Sequence, residues 1–319
     1  MKHRLYKMKF LSSVHFGNGM LSDGELSICA DTLFSGLCHE IIKKEGVSGV
    51  ERLVSYAREG RIQISDLFPY NDESYFLPKP CIVQNTLDRK DSKQYKVAKA
   101  LKFVRSESMQ NYLDGTLNCL DEYEKLKKIG KQSLNSRASI QGLNETMPYH
   151  VGSFQFNIRC GLYFILGYED EQVLEMVDEL IQALSFTGIG GKTSSGYGKF
   201  CFTVTDCLSK EWEEHLNFSD ECGCEYMSLS VSLPKENELE GVVKGARFSL
   251  LKRSGFVLSN GIVQKQIGKE LRKQNLYVFQ HGSCFETCFE GDVYDVANYI
   301  MENMHPVYRY AKPMFWRLR

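Results

Sequence analysis

Tyr6, Met8 and Phe10 alternate with Lys7 and Lys9 near the start of the chain, the period of two that a half-buried strand requires. A first strand over about 4–14 is therefore predicted. Asp31 stands where a helix cap belongs, and Leu33, Phe34, Leu37 and Ile41 fall on one stripe of a helix that ends at Gly46. Ser48 and Glu51 have the spacing of a capping box for a second, short helix stopping at Gly60. From about 61 to 150 the pattern is irregular apart from a charged helix near 119–129, which marks an insertion. Regularity returns with "FQFNI" (154–158), the turn "RCG" and "LYFIL" (162–166), a hairpin pattern. Val173, Val177, Leu180 and Leu184 then give a helical stripe over 171–186, and Phe200, Phe202 and Val204 alternate as a final strand.

The succession strand, helix, strand, strand, helix, strand is the ferredoxin-like arrangement also used by RNA-recognition domains. The fold class expected is α+β, with two ferredoxin-like (RRM-like) domains. The first spans 1–206 and carries the insertion. A connector follows over 207–225, and a degraded second copy spans 226–319, opening on the alternating "YMSLSVSL" (226–233) and continuing through the strand-rich "RSGFVLS", "QNLYVFQHGSCFE" and "HPVYRYAKPMFW".

A length of 319 residues agrees with two domains. Apolar residues at 43% and charged residues at 25% are ordinary for a globular protein, and no run of about 18 apolar residues offers a membrane span. "MKHRLYKMKF" lacks the apolar centre of a signal peptide, so a cytoplasmic location without a membrane partner is expected. Eleven cysteines, an odd count mostly inside apolar runs, read as reduced core thiols. Neither Cys222/Cys224 nor Cys284/Cys288 has the paired C-x2-C spacing of a zinc site, so no metal and no cofactor are expected.

The net charge of −1 is unevenly placed. Residues 79–105 hold eight Lys/Arg against two Asp, and 244–273 hold eight Lys/Arg against Glu270 alone. By contrast, 169–179 hold six Asp/Glu without a cation, and 206–225 hold seven against Lys210. Basic and acidic faces follow, the basic ones able to gather phosphates by counterion release.

The segment "SFTGIGGKTSSGYGKF" (185–200) is the chemical focus. A nucleotide-binding P-loop needs glycine where Phe186 stands, and a dinucleotide fingerprint from Gly188 needs glycine at Thr193. Both motifs fail, and the segment joins a helix to a strand rather than the reverse. Gly188, Gly190, Gly191, Gly196 and Gly198 permit positive φ and a close approach of other chains. Amides beside Lys192, Thr193, Ser194, Ser195 and Lys199 suit a track of phosphates and hydroxyls, and Tyr197 offers a stacking face. The other reading is a plain helix-to-strand turn, for which two glycines would suffice. In the expected sheet the last strand lies antiparallel to the first, so His15 in "SSVHFGNG" faces this loop. His15 is then either a packing and hydrogen-bonding residue or part of the phosphate track.

"HFGNGMLSDGELSICADTLFSGLC", "GLYFIL", "GIGGKTSSGYGKF", "RSGFVLS" and "HPVYRY" resemble the RAMP superfamily of CRISPR proteins over nearly the whole chain, most closely its Csm-four subunits of type III-A (Csm) effector complexes. The resemblance implies a non-catalytic subunit of antiviral defence that holds the 5′ handle of the crRNA. Its partners would be the large palm-domain subunit and the first backbone RAMP subunit. It also implies a thumb-like hairpin wedged into the duplex of guide and target RNA. Carried over by position, RNA contact falls on His15, Phe16, Asn18 and the loop from Gly188 to Lys199, and also on Arg137, Ser139, Arg253 and Ser254. The thumb falls within 80–99, flanked by Lys79 and carrying Arg89, Lys90, Lys93 and Lys96. The competing reading is a metal-independent RAMP endoribonuclease that processes precursor crRNA with His15 as general acid or base. Against it, the glycine loop of those nucleases lies near the C-terminus, whereas here about 120 residues follow it. Nor does the sequence supply a second acid or base beside His15.

Overall fold

The alternation at the start of the chain forms β1 (Lys2–Phe10), with Tyr6 and Met8 fully buried and Lys9 at the surface. The structure, a computed structural model, describes residues 1–17, 20–82, 92–141, 145–219, 223–257, 271–297 and 306–318. β1 ends at Phe10 rather than 14, because from Val14 the backbone pairs with Phe154 in a different ladder. Helix α1 (Ala30–Arg58) joins the two helices that the pattern separates, and Gly46 breaks it with φ 70° and ψ −156°. Asp31 does not cap it. The first amide of α1, Ala30 N, donates instead to Asp66 Oδ1 at 2.7 Å, and the Asp31 carboxylate is held by two arginines from far along the chain.

After α1 come β2 (Ile62–Ile64), β3 (Phe68–Asn71), β4 (Ser74–Pro78), α2 (Ser92–Ala100), β5 (Phe103–Arg105), α3 (Met109–Leu113) and α4 (Cys119–Lys127). The long strands β6 (Gly130–Gln141) and β7 (Glu145–Phe156) precede β8 (Cys160–Tyr168), α5 (Glu171–Thr187), β9 (Phe200–Thr205) and α6 (Lys210–Leu216). The main antiparallel sheet runs β5-β4-β3-β8-β1-β9, with β2 also on β8. Tyr6 of β1 stacks on Phe164 of β8 at 4.7 Å, worth about 0.5–1.5 kcal/mol beyond burial. α1 and α5 pack on each other and on this sheet, where the missing side chain of Gly36 admits Leu184, only 3.2 Å from where a Cβ would stand.

The predicted hairpin of 154–158 with 162–166 is not formed. "FQFNI" lies at the end of β7, which pairs with β6 from Gly130↔Phe156 to Gln141↔Glu145, while β8 pairs with β1, β2 and β3. The succession strand, helix, strand, strand, helix, strand is instead carried by β1, α1, β2 with β3, β8, α5 and β9. Its second strand therefore falls inside the stretch assigned to the insertion. Pro69 and Pro78 interrupt the alternation there, which removes the period that would mark it.

Beyond the connector lie β10 (Tyr226–Ser228), α7 (Leu239–Val243), β11 (Leu250–Arg253), β12 (Leu276–Phe279), β13 (Cys284–Phe285), β14 (Asp292–Asp295), β15 (Tyr308–Ala311) and β16 (Phe315–Arg317). They form the sheet β13-β10-β16 and the ladders β11-β12 and β14-β15. Among the described residues this half shows no four-stranded sheet with two helices like that of a second ferredoxin-like copy. The alternation of "YMSLSVSL" does not separate core from water, because Ser228, Ser230 and Ser232 are all fully buried. Their hydroxyls find partners, such as Ser230 Oγ donating to Lys312 O at 2.9 Å.

The halves meet at Asp66, which is fully buried. Its Oδ1 accepts from Ala30 N and, at 3.0 Å, from Val231 N, while Oδ2 lies 2.7 Å from His281 Nδ1. The His281 ring is set between Phe68 and Phe103. Among the described residues no helix is long and apolar enough to cross a membrane.

Candidate nucleic-acid interface

The glycine segment is built as a closed loop laced to the chain after β1. Gly188 ends α5 at φ 90°, and Ile189 N donates to Gly198 O at 3.0 Å, drawing the two ends together. Gly191 N then donates to His15 O at 2.9 Å, Gly198 N to Ser13 O at 3.1 Å, and Leu11 N to Lys199 O at 2.8 Å. A Cβ on Gly190 would come within 2.8 Å of His15 O and of the Phe16 ring, so glycine is required for this approach. Most of the glycines thus fasten the loop to its neighbours. Gly196 alone of the five has open space where a Cβ would stand.

The β6–β7 hairpin is stitched to the other side of the same segment. Val14 and Phe154 exchange two backbone hydrogen bonds of 2.9 Å, and Gly152 N donates to Leu21 O at 2.7 Å. His15 closes the joint: buried, it has its Nδ1 at 2.7 Å from Gly152 O, and since a carbonyl only accepts, Nδ1 is the donor. His15→Ala is expected to lower stability by about 1–3 kcal/mol, because the Gly152 carbonyl loses its partner inside the protein. A urea titration measures it, and an unchanged midpoint would remove His15 from this role.

Where hairpin and loop meet, two cations lie over two rings. Arg137 and Tyr149 are opposite one another in the β6–β7 ladder. The Arg137 guanidinium sits 5.4 Å from the centre of the Tyr197 ring and donates to the Tyr197 hydroxyl at 3.1 Å, while Lys192 Nζ lies 5.4 Å from the centre of the Tyr149 ring. Neither cation enters an ion pair among the described residues. Lys192 holds a left-handed backbone conformation, φ 61°, which costs a non-glycine residue about 1–2 kcal/mol. Beside it Ser194, Ser195, Gly196 and Lys199 are exposed and Thr193 is half-buried.

The other predicted positions divide. Phe16 is buried edge to face with Phe10, and Tyr197 is 9% exposed beneath Arg137, so neither presents a ring for stacking a base. Arg253 is bound through Nε and Nη2 to Asp31 by two bonds of 2.7 and 2.8 Å and to Thr32, so three of its donors serve the interior and its side chain is only 14% exposed. Ser254 is exposed, and its carbonyl accepts from Arg309. Ser139 lies in β6 opposite Met147. Lys79 donates to Ala98 O at 2.9 Å and so anchors α2 rather than reaching outward, Lys93 lies in α2, and Lys96 is exposed there. Asn18, Arg89 and Lys90, and residues 83–91 of the 80–99 thumb stretch, lie outside the described residues. No three His, Cys, Asp or Glu side chains among the described residues are grouped to hold a metal ion.

Two family models match in succession: that of the RAMP superfamily over residues 7–201 and that of the CRISPR Csm4 C-terminal domain over 221–318. The CRISPR system Cms protein Csm4 of Mycobacterium tuberculosis is 33% identical over 319 residues, covering 100% of this chain and 98% of that protein. The chain belongs to the Csm4 family of RAMP proteins. A Csm4 of Streptococcus thermophilus is 31% identical, covering 100% of this chain and 99% of its own. Among solved structures, a Csm3-Csm4 subcomplex of the type III-A CRISPR-Cas interference complex matches with a TM-score of 0.66 and 20% identity over 99% of both chains. A Csm1-Csm4 cassette in complex with AMPPNP matches with a TM-score of 0.57 and 17% identity, over 99% of this chain and 97% of that one. Both likenesses concern the fold, a mixed one with antiparallel sheets.

In this Csm4-family chain the contributions of Tyr149 and Gly152 are not apparent from sequence. The hairpin that carries them is a two-stranded ribbon, and its Leu134 and Met147 are exposed. Among the described residues only its β7 end is buried, at Val151, Ser153 and Phe154, and the rest of the ribbon has no covered face and leaves no apolar period.

Proposed function

We propose that the protein is a non-catalytic subunit of a type III-A CRISPR effector complex that grips the 5′ handle of the crRNA on the ridge formed by the glycine loop and the base of the β6–β7 hairpin. In this reading it bridges the large palm-domain subunit and the backbone RAMP subunits in the cytoplasm. The relatives found in Csm3-Csm4 and Csm1-Csm4 assemblies support that placement. The observation that carries the proposal is the pair Arg137 and Lys192, cations without carboxylate partners among the described residues, preset over tyrosine rings beside a row of hydroxyls. Such groups bind backbone phosphate without reading bases. A lysine kept at positive φ among glycines points the same way, since glycine would relieve the backbone there.

The thumb is reassigned to the β6–β7 hairpin. It is the long projecting ladder of the inserted region, its exposed Met147 and Pro148 suit a wedge against the duplex of guide and target RNA, and its base lies on the proposed handle site. The ribonuclease reading is disfavoured, because a buried His15 donating to Gly152 O is poorly placed to move a substrate proton. The two proposed ferredoxin-like domains remain part of this reading for the first half only.

Titration with a handle-bearing RNA at two salt concentrations tests the assignment. Salt-sensitive binding with the RNA left intact is expected. The double variant Arg137→Ala, Lys192→Ala should weaken binding about tenfold to a hundredfold and flatten the logarithmic salt slope by about 1–2. RNA cleavage, or equal binding by the double variant, refutes it.

A further inference from the structure

Between α3, α6 and β16 lies a cavity of about 130 Å3 that shares no residue with the glycine loop. Two of its walls are indoles. Trp212 and Trp316 meet edge to face at 5.2 Å, and both are largely buried. His215 stacks on Trp316 at 4.5 Å and is fixed by Nδ1 donating to Arg317 O at 2.6 Å. The walls are therefore held rigidly.

The charged lining is anionic: Glu107 and Glu211, both exposed, with no Lys or Arg among the lining residues. Glu211 enters no ion pair among the described residues. Glu107 contacts Arg105, but that guanidinium also serves the buried Glu122 at 2.6 Å and lies 3.8 Å from Asp121, which pairs with Lys125, so two cations face three carboxylates and the group stays negative. The surrounding stretch 206–225, with seven Asp/Glu against Lys210, adds to the same field. Indole faces attract cations through the ring quadrupole, and a carboxylate at the mouth of such a slot completes the match. A planar guanidinium suits it better than an ammonium, because it stacks on rings, accepts carboxylate in a fork and holds its water less tightly.

We propose that this cavity receives an arginine side chain of a protein partner. The assignment is independent of RNA binding, and the two fail separately.

Trp212 and Trp316 are the only tryptophans of the chain, so intrinsic tryptophan fluorescence reports on this cavity alone. The full-length protein is titrated with Nα-acetylarginine amide, with its uncharged near-isostere Nα-acetylcitrulline amide, with Nα-acetyllysine amide, with agmatine, and with the peptide acetyl-Gly-Arg-Gly-amide. A saturable change is expected with the arginine amide and the peptide, and none with the citrulline compound. Glu211→Gln should weaken the response about fivefold, the worth of one exposed ion pair, while leaving RNA affinity and melting temperature unchanged. Glu107→Gln provides a second variant with the same expected direction. No saturable change, an equal response to citrulline, or unaltered affinity in both variants overturns the proposal. Equal binding of the lysine amide overturns the guanidinium assignment, and binding of agmatine without the peptide overturns the protein partner.

Discussion

Asp31→Ala is expected to lower the stability of the protein by about 3–5 kcal/mol, the cost of removing one member of a buried charge cluster and leaving the others uncompensated. The Asp31 side chain is 2% exposed. It binds Arg253 through Nε and Nη2 and Arg309 through Nη1, and so ties the first turn of α1 to β11 and β15. Burial by itself would raise the Asp31 carboxyl, but the two guanidiniums outweigh it and hold the group below its usual range. A carboxyl lowered in the folded state contributes stability above its unfolded value, about pH 3.9, and loses it as the pH falls through the lower folded value. The deficit of the alanine variant should therefore be constant between about pH 5 and 7 and shrink below about pH 4. Urea unfolding at several pH values measures this. A deficit under about 1 kcal/mol at neutral pH would mean that the cluster is solvated and does not join the halves.

Gly198→Ala should abolish ordered closure of the glycine loop and reduce affinity for handle RNA about a hundredfold, at the upper end of the loss expected for the Arg137, Lys192 double variant. Gly198 has φ 75°, and a Cβ on it would stand 2.1 Å from Ile189 O and 3.0 Å from Ile189 N. Both are main-chain atoms, and Ile189 N is the donor of the bond that draws the loop ends together, so the alanine cannot be accommodated by a side-chain shift. Strain of a few kcal/mol, about 2–4, is placed on a segment at the protein surface, and local opening relieves it at less cost than global unfolding. Circular dichroism should therefore remain native while RNA binding falls. Retained binding would show that the closed loop is not what meets RNA. Gly196→Ala is the matched control: it also has positive φ, at 85°, but its Cβ would enter open space, so a milder loss is expected.

What the sequence disclosed depended on the range of the interaction concerned. Helix α5 and strand β9 were legible because their faces are set by neighbours a few positions away: Val173, Val177, Leu180 and Leu184 share one buried stripe. Gly46 announced the break in α1 for the same local reason. Asp31 looked like a cap because first-turn carboxylates commonly are caps, yet its partner Arg253 lies 222 positions away, beyond any pattern along the chain. Tyr197 has the look of a stacking platform in the sequence, whereas in the fold Arg137, 60 positions distant, lies over its ring. The glycine loop was correctly placed beside His15 by strand order alone, but that its glycines serve contact with the protein as well as openness required the backbone distances. The β6–β7 ribbon leaves no period because only its β7 end, Val151 to Phe154, is buried among the described residues, while Leu134 and Met147 farther along are exposed.

The shared carboxylate of Asp66 bears on how the chain comes to be made. It terminates a helix of the N-terminal half while accepting an amide and facing an imidazole from the C-terminal half, without access to water. Until residues beyond 225 have emerged during synthesis, that carboxylate has only one of its three partners, Ala30 N, so the earlier segment waits in an incompletely satisfied state. Maturation of the two parts is thus simultaneous, and a nascent fragment ending in the connector would be a substrate for chaperones and proteases rather than a working half.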